Sequence, residues 1–343
     1  QISDTYKEIK LLALFVKDFG ENLAALPAEI DPAGVNPEDM HTLRLSWRHD
    51  DNHGYVFFNN YQRKRRMDEH NSVTLEGRYK EAPVEFPKLN LPSGSYGFFP
   101  YHFREGDSEL ISANATPLCR LRGEDGTICV VFYGDWDPAF VWKDEKHFPI
   151  LHLDRKQALQ AWKVTLDRDY LILSDDYVWE ENGKLHIEGE KNTVIRCYPK
   201  LKEFSVLPDG FEVCGWDQEF TLYRRSEKAE NTRVTVTEEN RDADSRSYDL
   251  KITSPGTWRD TILFLDFGGD KIEIFRDGEM ITDSYYTGEQ VQISLRYFDF
   301  PEELRVKIYP LKEDDSKFLE RWPQMKDGCA CELYVVGVKD LVW

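Results

Sequence analysis

The residues best suited to chemistry lie in "GDWDPAFVW", Gly134 to Trp142, where Trp136 and Trp142 stand among Asp135 and Asp137. Indole faces stack on sugar rings, and carboxylates accept hydrogen bonds from sugar hydroxyls, so the set predicts carbohydrate contact. The bland alternative is one core tryptophan beside an exposed loop. In "DSYYTGE", Tyr285 and Tyr286 follow the Asp277-Gly278 turn and carry the same two readings, sugar contact or packing.

Other clusters point elsewhere. "QRKRR" gathers Arg63, Lys64, Arg65 and Arg66, either a patch for a polyanion or a solvated strand end beside Asp68 and Glu69. The chain carries 44 basic and 63 acidic residues, a net charge of −19, which repels nucleic acid and favours the solvated reading. Asn59 and Asn60, just before the run, are candidates for closing a turn or contacting a neighbouring domain. "HFPILHLD" offers His147, His152 and Asp154 without the spacing of a common zinc motif. "RDADSRSYD" opens like a calcium loop at Asp242 and Asp244, but lacks the glycine and glutamate such a loop requires. No phosphate-binding glycine loop or nucleophile elbow occurs, so neither metal nor cofactor is expected.

The elements that would hold these residues are mostly strands. One amphipathic helix is expected over residues 3–20, capped by Ser3, stopped near Gly20, with Ile9, Leu12, Ala13, Val16 and Phe19 as its apolar stripe. A linker with Pro27, Pro32 and Pro37 follows. From Thr42 the period becomes two, and "LRLSWRH" and "YVFFNNY" read as a hairpin. "YGFFPYHF", "ELISANATPLCRL" and "TICVVFYG" continue the strands, the last two joined at Asp125-Gly126. "QALQAWKV" is open between short helix and strand. Asn182-Gly183 marks a tight hairpin. "DTILFLDFGGDKIEIFRDGEMITDSYY" reads as a meander with "ILFLDF" central, and "VQISLRYF" and "LRVKIYPL" follow. The expected fold is mainly β: two or three β-sandwich or jelly-roll-like domains preceded by one amphipathic helix. The division expected is 1–40 helix and linker, 41–150 a β-domain, 151–255 a β-rich middle region, and 256–343 a C-terminal sandwich.

Six cysteines, Cys119, Cys129, Cys197, Cys214, Cys329 and Cys331, form no CxxC pair. A two-residue turn at Asp125-Gly126 would set Cys119 and Cys129 on opposite faces, so they are expected to be reduced, which leans toward the cytoplasm. No window is apolar enough to span a membrane, and the start does not read as a signal peptide.

"LRLSWRHDDNHGYVFFNNYQRKRRM" resembles the hairpin that follows the catalytic barrel in bacterial family-35 glycoside hydrolases, the β-galactosidases. Three stretches are similar in the same order: "YKEIKLLALFVKDFGENLA" to the last barrel helix, "ISANATPLCRL" to a strand of the middle domain, and "LFLDFGGDKIEIFRDGEMITDSYYTGEQVQISLRYF" to the C-terminal sandwich. The resemblance implies a piece of a longer protein that begins about where the barrel ends, with that barrel as partner and galactose-containing glycans as candidate ligands. The family's acid/base and nucleophile glutamates sit in the barrel, and no position here matches their motifs, so no catalytic residue is assigned. The reading is an accessory region, inactive alone, that braces the barrel and contacts carbohydrate. Two alternatives stay open: an independent carbohydrate-binding module, and an enzyme with an unfamiliar carboxylate site on a β-fold.

Overall fold

The computed structural model describes residues 4–226, 230–241, 244–255, 258–314 and 317–342; Ser3 and Asp242 fall outside them. The protein is mainly β, as the alternating sequence pattern predicts, with α-helix among the described residues only at Asp4–Ala25 (α1) and Arg155–Leu159 (α2). The chain divides into two units. One comprises 1–175, 195–204 and 215–222; the other comprises 176–194, 205–214 and 223–343.

In the first unit, α1 runs past Gly20 to Ala25. A helix-interior glycine costs roughly 1 kcal/mol, and Phe19 and Leu23, packed in one core on either side of it, offset that cost. Of the expected stripe's larger side chains only Phe19 lies in the core. Leu11, Phe15 and Phe19 are buried, whereas Ile9, Leu12 and Val16 are 60%, 58% and 48% exposed. The helix is apolar on two sides, and the larger aromatic side chains take the core.

That core lies on a six-stranded antiparallel sheet ordered Ala28–Ile30, Arg44–His49, Gly54–Asn59, Tyr96–Glu105, Ser108–Ala113 and Phe140–Trp142. Tyr55, Phe103 and Leu110 meet Phe15 and Phe19 on one side. Trp47, Val56, Phe58, Phe99 and Tyr101 pack in a second core with Leu75 and Phe86. A second sheet pairs Thr116–Arg122 antiparallel with Ile128–Tyr133, which pairs parallel with Ile150–Leu153.

"ELISANATPLCRL" is therefore not one strand. It breaks at Asn114-Ala115, and its halves join different sheets. "QALQAWKV" is both things in turn: α2, capped by Asp154 in a capping box with Gln157, then the strand Ala161–Thr165. The Asp125-Gly126 hairpin also differs from expectation. Arg122 pairs with Ile128 across a five-residue loop, and a bulge follows Pro117, so Cys119 faces Val131 and Cys129 faces Leu121. Both cysteines point into one apolar core rather than to opposite faces. None of the six cysteines is in a disulfide.

The second unit is a β-sandwich. One five-stranded sheet is ordered Tyr177–Glu181, Lys184–Glu190, Glu332–Val342, Asp260–Gly268 and Val291–Ser294. The other is ordered Arg233–Arg241, Arg246–Thr253, Glu303–Tyr309, Lys271–Arg276 and Glu279–Tyr285. Leu263, Leu265 and Phe267 of the first meet Leu250, Ile274 and Val306 of the second. "ILFLDF" is interior as expected, but the meander is not continuous. Gly268-Gly269 carries the chain from one sheet to the other, and only the Asp277-Gly278 turn, with φ of 51° and 84°, makes a hairpin. Asn182-Gly183 makes the expected tight turn, with φ of 54° and 75°.

Candidate functional site

In the first unit, three side chains from separate segments meet at a cleft. Tyr96 opens the Tyr96–Glu105 strand and is 49% exposed. Trp136 sits in the loop after Ile128–Tyr133, half-buried, edge-on to Phe58 at 5.7 Å and Phe99 at 5.8 Å. Its indole N–H donates to the Asn90 carbonyl at 3.1 Å. Arg155 is the first residue of α2, placed by the Asp154 cap. Its Nη2 donates to the Glu8 carboxylate at 2.8 Å and the Tyr96 hydroxyl at 2.6 Å.

The turn beside Tyr96 is held by Asn60, which is fully buried. The Asn60 Nδ2 donates to the carbonyls of Asp68, Leu91 and Pro92 at 2.8, 3.1 and 3.1 Å. The Asn60 N–H donates to the Ser95 carbonyl at 2.7 Å, and its carbonyl accepts from the Gly94 N–H at 2.8 Å. Gly94 has φ of +95°, which only glycine adopts cheaply. Of the two expected readings for this asparagine, the turn-closing one describes it.

Two hollows share these walls. A cavity of about 330 Å³ is bounded by Ile9, Leu12, Phe15 and Phe98, together with Tyr96, Asp135, Trp136 and Arg155. A second, of about 500 Å³, is bounded by Asn90, Ser93 and Ser95 with the same Tyr96, Asp135, Trp136 and Arg155. One side is apolar and the other polar, and the aromatic and charged residues stand between them.

The structure thus groups Trp136 and Asp135 with two residues that sequence reading missed, Tyr96 and Arg155. Trp142 lies apart from this cleft. It closes the edge strand Phe140–Trp142, and its ring is stacked on His147 at 4.3 Å and set against Phe148 at 4.8 Å. Asp137 is exposed, and its carbonyl accepts from the Asn114 amide. Tyr285 and Tyr286 belong to the second unit. Tyr285 is 67% exposed, while Tyr286 is edge-on to Phe267 against the sandwich core.

The remaining clusters have local roles. Arg65 pairs with Glu38 and Arg66 with Glu69, both at 2.7 Å, so the basic run is a turn laced to carboxylates rather than the end of a strand. His147 stacks on Trp142, His152 faces Phe140, and Asp154 caps α2. No group of three or more metal-ligating side chains occurs among the described residues. Burial pushes the Cys119 and Cys197 thiols well above their usual range, so both are poor nucleophiles. No described helix is long and apolar enough to cross a membrane.

One buried charge cluster was not legible in the sequence. Glu109 is almost fully buried and accepts from His102 at 2.7 Å, Arg104 at 3.0 Å and Lys143 at 3.2 Å. Burial alone would raise its pKa, but those three donors more than offset it and hold the carboxyl at about 2. The cluster ties the loop after Trp142 to the six-stranded sheet.

No protein-family profile matches the sequence, and no curated protein does. Among solved structures, the chain is similar to the crystal structure of the GH31 α-xylosidase from Xanthomonas citri, at 10% identity and a TM-score of 0.18. The match covers 92% of this chain and 37% of that one, so the chain spans little more than a third of that enzyme's length. At that score the likeness carries no weight for fold or function.

Proposed function

We propose that this chain is an accessory β-sandwich region of a β-galactosidase-like glycoside hydrolase. It is inactive alone, docks on a catalytic (β/α)8 barrel of the same polypeptide through the open face of α1, and contacts carbohydrate at the Tyr96–Trp136 cleft. The observation that carries the docking is the second apolar face of α1. A helix with one buried face ordinarily turns polar groups to water, yet Ile9, Leu12 and Val16 stand about half exposed in a row beside the buried row of Leu11, Phe15 and Phe19. Covering the exposed half of each such side chain contributes about 1 kcal/mol, so a second folded body gains by packing there. The barrel as that body rests on the sequence resemblance, which runs from α1 through the Arg44–Asn59 hairpin to the last sandwich.

The coding sequence 5′ of Gln1 tests this. The expected result is an open frame encoding alternating strands and helices enough for an eight-fold barrel. A frame that starts within a few codons of Gln1 would sink the proposal.

An independent carbohydrate-binding module is the second reading. It is favoured by one observation: the aromatic and charged walls of the cleft all come from a single unit of this chain. Galactose binding by the isolated chain in the micromolar range would favour it over the accessory reading.

A further inference from the structure

The first half of α1 rests on two side chains. Of residues 5–12 only Lys10 and Leu11 are buried, whereas Phe15 and Phe19 hold the second half. Leu11 joins the apolar core with Leu118, Val131 and Leu171. Lys10 is 9% exposed, and its Nζ is buried with no hydrogen-bond partner among the described residues. That nitrogen lies 3.6 Å from the centre of the Trp162 ring, on the strand Ala161–Thr165. The ring is fixed in turn, because its Nε1–H donates to the Ser174 carbonyl at 3.0 Å.

An ammonium group carries three N–H donors, and burial takes their water away. The indole face attracts the charge but supplies no carbonyl or carboxylate acceptor. The charged groups around Lys10 do little for it. Lys7, one turn earlier on α1, is a like charge. Asp175, after the Asp169–Leu173 strand, is mostly exposed and already accepts from Lys7 at 3.3 Å and Gln160 at 2.7 Å. Arg155 of α2 is bound to Glu8 of α1, and Lys163, next to Trp162, is bound to Asp18 at 2.9 Å. Burial first, and Lys7 second, lower Lys10 from 10.5 to about 7, with Asp175 opposing them.

We propose that Lys10 is a pH-sensitive clamp: as a neutral amine it seats the first half of α1 firmly on Ala161–Thr165, and as an ammonium it loosens that half. When these turns lift off, Lys10 enters water and returns to 10.5. The lifted form therefore holds more protons between about 7 and 10.5, so lifting is suppressed as pH rises through that window. Below about 7 both forms are protonated, and the cost of burying the charge is full and constant. The second half of α1 carries no such group in its buried row and stays seated throughout.

The test uses the full chain and amide hydrogen exchange read by mass spectrometry, corrected for the intrinsic pH dependence of exchange. Protection of residues 5–12 is expected to rise about tenfold from pH 6 to pH 8, with residues 15–25 unchanged. Lys10→Met keeps the length and removes the charge. It should be better protected than wild type at pH 6 and show no such rise. Lys10→Arg keeps the charge at both pH values and should be the least protected at pH 8. Equal wild-type protection at pH 6 and pH 8 would overturn the proposal, and so would the same rise in Lys10→Met, which would assign it to another group. Wild type labelled with 13C at lysine Cε gives a reading that needs no variant: one resonance should titrate with a midpoint near 7, and titration of every lysine near 10.5 would overturn the proposal.

Discussion

The Arg155 guanidinium donates at 2.6 Å to the Tyr96 hydroxyl, with the Glu8 carboxylate bound to the same nitrogen at 2.8 Å. This ties together α1, the start of a sheet strand and the start of α2, three segments far apart in the chain. It also sets a charged group at the rim of an aromatic cleft.

The two faces of α1 should respond oppositely to substitution. Phe15→Ala removes a 2% exposed ring that packs on Phe19, Tyr55 and Phe98, and is expected to cost about 3–4 kcal/mol. Leu12→Ser removes a 58% exposed side chain and should stay within about 0.5 kcal/mol. Urea unfolding of the two variants measures this. A large loss at Leu12 would mean that the outer face is already packed in this chain.

Asn60 is expected to be more sensitive than its small size suggests. Its two amide protons are shared among three carbonyls, so Asn60→Ala strands acceptors in a buried site at about 2–3 kcal/mol. Asn60→Asp should cost more, because a carboxylate would face three acceptors. Thermal melts of both variants check the order, and an aspartate variant as stable as wild type would contradict the assigned orientation of the amide.

Glu109 gives a pH signature. Its folded pKa, about 2, lies below the ordinary 4.5, so the stability it contributes is fully present above about 4.5 and is lost as pH falls toward 2. The gap in stability between wild type and Glu109→Gln should therefore be widest near neutral pH and close as the pH drops through that window. A gap unchanged from pH 7 to pH 2 would show that the carboxylate's charge contributes nothing.

Local chemistry made much of the fold legible. Asn182-Gly183 and Asp277-Gly278 demand positive φ, and both turns form where the sequence places them. The alternation in Arg44–His49 and Gly54–Asn59 gave their pairing directly. What failed depends on distant partners. The strand break at Asn114-Ala115 is held by the Asn114 side chain, which accepts from the Ala139 N–H at 2.5 Å and donates to the Asp137 carbonyl at 3.0 Å, a contact with no local signal. The buried face of α1 was ambiguous because Ile9 and Leu12 have nearly the same spacing as Leu11 and Phe15, and only the sheet's aromatics decide between them. At the cleft, Trp136 stood out by residue type. Tyr96 and Arg155 did not, since a tyrosine before a strand and an arginine after a cap are common, and folding alone brings them beside Trp136.

The proposed accessory role requires that the chain carry no hydrolytic centre of its own. Incubating the purified chain with a chromogenic β-galactoside tests it most directly. Release of chromophore at the buffer rate, unchanged by Asp135→Asn, is the expected result. Turnover clearly above buffer that is abolished by substituting a single carboxylate would contradict it, and would place a catalytic acid or nucleophile on the β-fold itself.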